Sequence, residues 1–367
     1  MNRLRLAIQT VFIVLMAYIG YRHQVFGGGP DGVPPLDAYC IFGALETLPT
    51  YLSTSNFLQK TASSNFWLLL GLIITTILAG AVFCGWICPL GGLSDWLYKM
   101  RQKVFARKIE FSPSIAKVLS YGRFIMLAGI VYFSWLLNQL WFEDYDPFKQ
   151  IFHMNVEGTT GWLIIAGFVI ISLITERAWC RFLCPLGAFA GLLSRLTIFE
   201  IERDSTCINC KICDRKCPVG ITVSEITRMK DTRCIKCMEC VPVCPVQSLE
   251  VRSGINGAFA RVKPLAFAVM SVVMFTLIVS AVQLSGYWNP KSPSIKAVSQ
   301  ITSPSEIKGW MKWADVIDTL KVNEQMFTKE LGLPENMDRN KTVKQIYKEY
   351  YISEEKFRQA VAKFQKK

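Results

Sequence analysis

Apolar residues in this chain fall into long blocks, separated by polar stretches. Runs at Leu6 to Ile19, Phe66 to Phe83, Val118 to Leu140, Trp162 to Ile174 and Pro264 to Leu284 each approach, with their flanks, the length a helix needs to cross a hydrocarbon layer of about 30 Å. The first and fourth are the shortest. The fourth continues through Thr175 and Glu176 to Trp179, so its charged end predicts emergence just before Cys180. The first has Arg3 and Arg5 ahead of its apolar stretch, as a secretory signal does. No small-x-small cleavage site follows Ala17-Tyr18-Ile19-Gly20, which favours an uncleaved anchor. Beyond Gly286 the pattern changes: a Pro- and Ser-rich connector, Asn289 to Ser305, leads into charged, amphipathic sequence. There Val322-Asn323-Glu324-Gln325-Met326-Phe327 matches Ile352-Ser353-Glu354-Glu355-Lys356-Phe357, with Asn323 and Ser353 in N-cap position. The match predicts two copies of a small helix-turn-helix unit, packed through Trp310, Trp313, Val316, Leu320, Phe327 and Leu331 and through Ile346, Tyr350, Phe357 and Val361.

Composition agrees with a membrane protein: 51% of the 367 residues are hydrophobic and 19% charged. The net charge of +13 follows from topology, because Lys and Arg collect in cytoplasmic loops. Lys99, Arg101, Lys103, Arg107, Lys108 and Lys117 outweigh Asp95 and Glu110 after the second block. After the third, Glu143, Asp144, Asp146 and Glu157 outnumber Lys149. With Arg3 and Arg5 inside, five crossings predict a cytoplasmic segment between the fourth and fifth blocks and an extracytoplasmic C-terminal domain. Nothing resembles a groove-reading motif, so no nucleic acid is expected as partner, and the membrane bilayer is.

Eight of the 13 cysteines lie in that cytoplasmic segment in two copies of one pattern. These are Cys207-x2-Cys210-x2-Cys213-x3-Cys217-Pro218 and Cys234-x2-Cys237-x2-Cys240-x3-Cys244-Pro245. This is the spacing of a two-cluster ferredoxin, in which the fourth Cys of each run ligates the other cluster. Two 4Fe-4S clusters are therefore expected, one on Cys207, Cys210, Cys213 and Cys244, the other on Cys234, Cys237, Cys240 and Cys217. Zinc sites and disulfide frameworks also use paired cysteines, but neither requires two identical four-cysteine runs ending in Cys-Pro.

A second repeat lies at the inner ends of the second and fourth blocks, Cys84-Gly85-Trp86-Ile87-Cys88-Pro89-Leu90-Gly91 and Cys180-Arg181-Phe182-Leu183-Cys184-Pro185-Leu186-Gly187. Each follows an apolar helix and precedes a Leu-containing stretch, so the membrane part reads as a duplicated two-helix unit. Cysteines four apart share one helix face, and the following Pro predicts an end or kink. Packed about a pseudo-twofold axis, Cys84, Cys88, Cys180 and Cys184 would converge near the ferredoxin and hold a further iron–sulfur or metal centre, or act as two redox thiol pairs. Inert, packed cysteines are the alternative.

Paired CxxxCP motifs followed by a dicluster ferredoxin resemble the membrane polyferredoxins of the NapH, NosR and CcoG type, over about residues 1 to 285. The resemblance implies an iron–sulfur electron-transfer protein working between the quinone pool or a cytoplasmic donor and a partner redox protein, such as a respiratory reductase subunit. The chain lacks the Ser-Gly-Ala-Thr-like flavin-attachment motif of NosR-type proteins, and its tail reads helical where CcoG-type proteins carry a β-sandwich. NapH-type proteins usually lack the fifth helix and the tail.

The predicted fold class is mostly α: a polytopic membrane helix bundle of about five spans, internally duplicated, with an inserted α+β dicluster ferredoxin and a small helical C-terminal domain. The boundaries are 1–200 for the four-helix part, 201–255 for the ferredoxin, 262–286 for the fifth helix and 300–367 for the extracytoplasmic domain. The outer segment Tyr21 to Asn65 reads as an ordered loop, with turn chemistry at Gly27-Gly28-Gly29-Pro30 and Pro34-Pro35. Its Cys40, the one cysteine expected outside, is read first as a packed residue. The alternative has the loop re-enter the membrane and bring Cys40 and Glu46 to a quinone. His23 and His153, the only histidines, are both expected at the outer surface, where either could accept a proton; transmembrane haem with paired axial His is not supported. Besides electron transfer, the clusters admit a redox-sensing regulatory or metallocentre-assembly role. An enzyme with its own substrate has no supporting pocket, flavin or nucleotide motif.

Overall fold

In the computed structural model the protein is described at residues 2–28, 32–55, 57–58, 61–104, 111–154, 156, 158–253, 261–290, 303–304, 307–334 and 336–364. Arg107, Lys108, Glu110, Glu157, the Gly29-Pro30 turn, most of the Pro- and Ser-rich connector and Lys367 lie outside the described residues. The chain forms two compact units, one of residues 1–24 with 35–292, the other of residues 25–34 with 293–367.

The first unit begins with helix α1 (Asn2–Phe26), then α2 (Ile41–Thr54), α3 (Ser63–Ala79) and α4 (Pro89–Val104). The second half follows the same plan: α5 (Pro113–Leu119) running into α6 (Gly122–Leu137), α7 (Pro147–Phe152), α8 (Gly158–Ile174), α9 (Ala178–Phe182) and α10 (Pro185–Leu193). Among the described residues three helical stretches, Arg3–Phe26, Ser114–Leu137 and Pro264–Leu284, are long and apolar enough to cross a membrane. Helices α3 and α8 are apolar but have 17 residues each, about 25 Å at 1.5 Å per residue. The short blocks are thus the second and fourth. The first, expected to be short, is lengthened by polar residues at both ends that continue its helix.

The halves pack reciprocally. Helix α4, which follows the first CxxxCP motif, packs on α8 of the second half, and α10, which follows the second motif, packs on α3 of the first. The segment expected as a loop between α1 and α3 is largely helical. Helix α2 is buried nearly all round from Ile41 to Thr47, and such a helix carries no amphipathic stripe to announce it. A short turn precedes it at Leu36–Tyr39, as one at Glu143–Tyr145 precedes α7.

Strand β1 (Phe199–Arg203) leads out of α10 and pairs antiparallel with β2 (Leu249–Ser253), from Phe199 opposite Ser253 to Arg203 opposite Leu249. The cysteine-rich segment lies between these strands and contains one short helix, α11 (Ile212–Lys216). Strand β3 (Arg261–Val262) extends the sheet to the order β1-β2-β3. Helix α12 (Pro264–Leu284) then packs on α3, with Phe275 against Phe83 at 5.3 Å between ring centroids. Buried residues from α3, the first CxxxCP loop, the sheet, the cysteine loops and α12 form one continuous core.

The second unit is a duplicated helical pair, α13 (Trp313–Leu320) with α14 (Glu324–Leu331) and α15 (Val343–Glu349) with α16 (Glu354–Phe364). A two-way backbone bridge relates the copies: Trp313 N–H donates to Lys341 C=O and Val343 N–H to Met311 C=O, both at 2.8 Å. Lys321 and Tyr351 each adopt a left-handed conformation between their helices, at φ 50° and 54°. Trp313 stacks on Phe327 at 5.2 Å, and Phe357 stands edge-on to both.

Candidate metal centres

Local backbone geometry explains why the cysteine runs wrap around a void. Asn209 and Lys211 flank Cys210 with positive φ, and Lys236 and Met238 do the same around Cys237. Gly220 and Gln247, two residues after each Cys-Pro proline, repeat the conformation at φ 66° and 52°. Non-glycine residues adopt this conformation rarely, and its recurrence at matched positions curls each run so that three thiols face one side.

Two cavities result. Cys207, Cys210, Cys213 and Cys244 line one, of about 320 Å³ with its open mouth included. Cys217, Cys234, Cys237 and Cys240 line the other, of about 310 Å³, together with apolar side chains including Ile201, Val219, Ile221 and Met238. Each cavity is thus lined by three cysteines of one run and the fourth of the other. Sulfur-directed hydrogen bonds are present in both: Ser248 Oγ lies 3.3 Å from Cys244 Sγ, and Ile221 N–H donates to Cys217 Sγ at 3.4 Å. Among the described residues no group of three or more His, Cys, Asp or Glu converges as on a single metal ion. Thiols spread around a void suit a cubane, whose irons occupy separate corners, better than zinc, which draws its ligands to one point at about 2.3 Å.

The cavities differ in exposure. The first is lined in part by Ile208, which is 62% exposed, and by exposed Lys211. In the second, Cys237 and Cys240 are buried, and burial pushes the Cys217 thiol up to about 12. Ligation to iron supplies the positive charge that a buried thiolate needs.

The first CxxxCP motif meets the second cysteine loop, and α6 and α10 of the second half meet the same loop. Cys84 sits in a π-turn, Phe83–Ile87, and Cys88 ends it. Cys180 lies in α9, whereas Cys184 is the N-cap of α10, its sulfur accepting the Gly187 N–H at 3.3 Å. Each motif therefore straddles a helix break, and the expectation of one shared helix face is corrected. The proline after each second cysteine starts a new helix, because it lacks the N–H that continuing the old one requires. The four sulfurs nevertheless lie within electrostatic reach of one another. At the contact, Trp86 Nε1–H donates to Lys236 C=O at 3.2 Å, and a Cβ on Gly85 would lie 2.3 Å from the Ile235 carbonyl oxygen. From the second half, a Cβ on Gly191 would lie 2.3 Å from Thr232 C=O, and Arg123 Nη2–H donates to Thr232 Oγ1 at 2.8 Å.

Sequence reasoning missed the buried charges around these cysteines. Arg5, Asp95, Arg177 and Arg181 are all less than 5% exposed. The available signal was Asp95 and Arg177, charges bordering apolar blocks and each within seven residues of a CxxxCP cysteine; buried charges are retained only when paired. A second cluster was also missed. Lys149 is buried between Asp37 at 2.7 Å and Glu143 at 3.5 Å, close to Asp146 and Cys40. Its signal was a further repeat, Asp37-x-Tyr39-Cys40-x-Phe42 against Glu143-x-Tyr145-Asp146-x-Phe148. Cys40 itself is buried at the start of α2, and its carbonyl accepts Asn65 Nδ2–H at 2.7 Å. Glu46 accepts Ser134 Oγ–H at 2.7 Å, and burial raises its carboxyl to about 7. His23 and His153 meet edge-on, 5.7 Å between ring centroids.

Two four-thiol cavities on a helical membrane scaffold define an iron–sulfur protein of ferredoxin type. Comparison with known proteins agrees. Residues 63–111 and 158–200 match the family described as a 4Fe-4S binding domain, and residues 200–245 the family described as a 4Fe-4S dicluster domain. An uncharacterized protein of Methanocaldococcus jannaschii, MJ0750, is 32% identical over 199 residues, 53% of this chain and 79% of that one. Protein NirI of Paracoccus denitrificans is 30% identical over 60% of this chain and 33% of its own length. The ferredoxin-type protein NapH of Haemophilus influenzae is 31% identical over 39% of this chain and 49% of its own length. No solved structure matches. The chain belongs to the NapH/NosR-type membrane polyferredoxins.

Proposed function

We propose that this polyferredoxin is a membrane-bound electron relay that passes electrons between the quinone pool or a cytoplasmic donor and a partner redox protein. The observation that carries the reading is the contact of the first CxxxCP motif with the second cysteine loop, at Gly85 and Trp86, together with the contact of the same loop at Thr232 with Gly191 and Arg123 of the second half. When bound, 4Fe-4S clusters supply one-electron carriers. Cys207, Cys210, Cys213 and Cys244 would hold the first and Cys217, Cys234, Cys237 and Cys240 the second, while Cys84, Cys88, Cys180 and Cys184 would hold a further iron–sulfur or metal centre. The chain's own residues line the second cavity with apolar side chains and hydrogen-bond its Cys217 sulfur, which are the means by which a protein tunes such carriers.

The rim of the first cavity, with Arg203 and the exposed Ile208 and Lys211, suits docking of an acidic soluble donor. In this reading five helices span the membrane, α3 and α8 being short spans shielded by their neighbours, and the C-terminal unit lies outside as a docking module for the partner. The buried Cys40, Glu46 and Lys149 cluster would lie at the opposite end, where a quinone headgroup would meet a proton acceptor.

Iron and acid-labile sulfide per chain, with EPR of the reduced protein, test the proposal on native chain and on a variant lacking Cys84, Cys88, Cys180 and Cys184. About eight irons in the native chain alone account for two cubanes. Additional iron lost in the variant supports the third centre, and fewer than about eight removes the relay reading. A reporter fused after Lys367 that is active only inside the cell would remove the docking role of the tail.

A further inference from the structure

A buried ionic network connects the two candidate centres. Asp95, on α4, is fully buried. Its carboxylate accepts two hydrogen bonds from Arg177, Nε–H and Nη2–H, each at 2.7 Å, one from Arg5 Nη2–H, and one from Gln9 Nε2–H at 3.1 Å. Each arginine makes a second contact at a cysteine loop. Arg177 Nη1–H donates to the Cys84 carbonyl at 2.6 Å, and its guanidinium lies within electrostatic reach of Cys88 and Cys180. Arg5 Nη1–H donates to Glu239 at 2.5 Å, between Cys237 and Cys240, and Arg5 lies within reach of Cys237. One carboxylate therefore restrains two cations, one beside each group of thiols.

We infer that Asp95 is the positioning residue that couples the second cysteine cavity electrostatically to the CxxxCP cysteines, holding Arg5 to one and Arg177 to the other. The inference rests on the relay reading and adds to it a device within this chain. A cation beside a carrier favours its reduced, more negative form. The partial neutralisation of both arginines by Asp95 therefore sets how readily each centre accepts an electron, and in the low-dielectric interior such charges interact strongly. Hydrophobic packing alone would not require this pattern, since a buried charge is costly unless its partners are fixed around it. The first cavity has none of these residues in its lining and serves as internal reference.

The test is an EPR-monitored redox titration of the full-length holoprotein. In Asp95→Asn, which keeps the shape and removes the charge, the second cluster's reduction equilibrium should move about tenfold toward the reduced form, equivalent to about 59 mV for a one-electron couple. Any CxxxCP signal should move the same way, and the first cluster should stay within about twofold. Asp95→Glu should return both toward native. Glu239→Gln, which loosens the Arg5 arm and also removes a charge within reach of Cys237 at a partly exposed site, should move the second cluster and not the CxxxCP signal. If Asp95→Asn does not fold, Glu239→Gln decides. An unmoved second cluster in either variant, with native iron content, overturns the coupling and leaves the relay intact. A native protein without a second-cluster signal overturns both.

Discussion

Gly85→Ala is the sharpest probe of the junction between the CxxxCP loop and the second cysteine loop. An added Cβ would stand 2.3 Å from the Ile235 carbonyl oxygen and 3.4 Å from the Cys237 nitrogen. Ordinary contact needs about 3.4 Å, so the two backbones must separate by about 1 Å. Neither side yields easily. Trp86 is fully buried beside Gly85 and hydrogen-bonded to Lys236, and the opposing loop is curled by two left-handed residues. Overpacking of a rigid contact costs about 1–3 kcal/mol. Gly129→Ala is the control: it lies within α6 with nothing within 4 Å of its added Cβ, and relief of backbone entropy should stabilise it by about 0.5–1 kcal/mol. Both are compared by denaturant unfolding in detergent, with second-cluster EPR as the local readout. Gly85→Ala should be less stable than native and show an altered second-cluster line shape, with the first cluster unchanged. If Gly85→Ala unfolds with Gly129→Ala and its spectrum is native, the close approach does not exist.

Cys217→Ala, although in the first motif, should abolish the EPR signal of the cluster on Cys234, Cys237 and Cys240 and spare the other; loss of only the first cluster would reverse the ligand assignment. Glu46 binds its proton more tightly folded, at about 7 against an ordinary 4.5. The native chain should therefore lose stability as pH rises from about 4.5 to about 7, by up to about 3 kcal/mol. Glu46→Gln should flatten that slope in unfolding experiments between pH 4.5 and 8, and an unchanged slope would assign it to other groups. Trp313→Ala empties the centre of the C-terminal unit, where Phe327 and Phe357 pack on its ring. Losing about 3–5 kcal/mol, that unit should become sensitive to limited proteolysis while the cluster signals persist; resistance equal to native would show that the stack is not what holds it.

How much was legible depended on whether the signal was local. The ferredoxin runs could be read because their ligand spacing is a short-range constraint, written over a few residues. The matched N-caps Asn323 and Ser353 are local in the same sense, and the helices they start were legible with them. Helix α2 was not legible: the turn chemistry at Gly27-Gly28-Gly29-Pro30 and Pro34-Pro35 was extended over the whole segment, and burial on nearly every side left no periodicity to oppose that reading. The Asp95 network was illegible for a different reason. Its partners come from α1, α4, the start of α9 and a cysteine loop, and only the fold brings them together. The lengths of the short spans were misjudged because polar residues extend α1 while Gly80 ends α3.

Duplication explains why the CxxxCP cysteines of both halves lie within electrostatic reach of one another. A single copy of the membrane unit would present one CxxxCP break and one apolar helix with an uncovered face. Two copies satisfy each other, since the helix leaving each motif covers the apolar helix of the other half, α4 on α8 and α10 on α3. That exchange brings both breaks to one end of the bundle, where Gly85 from one half and Gly191 from the other admit the Ile235 and Thr232 carbonyls of a single loop. The same logic operates at smaller scale in the ferredoxin, where each run lends its last cysteine to the other cavity. In the ferredoxin each four-thiol cavity is complete only when the two runs interlock. A change that weakens one copy's packing should therefore disturb the centre shared with the other, and this makes reciprocal effects across the repeats the property to look for in any variant of either half.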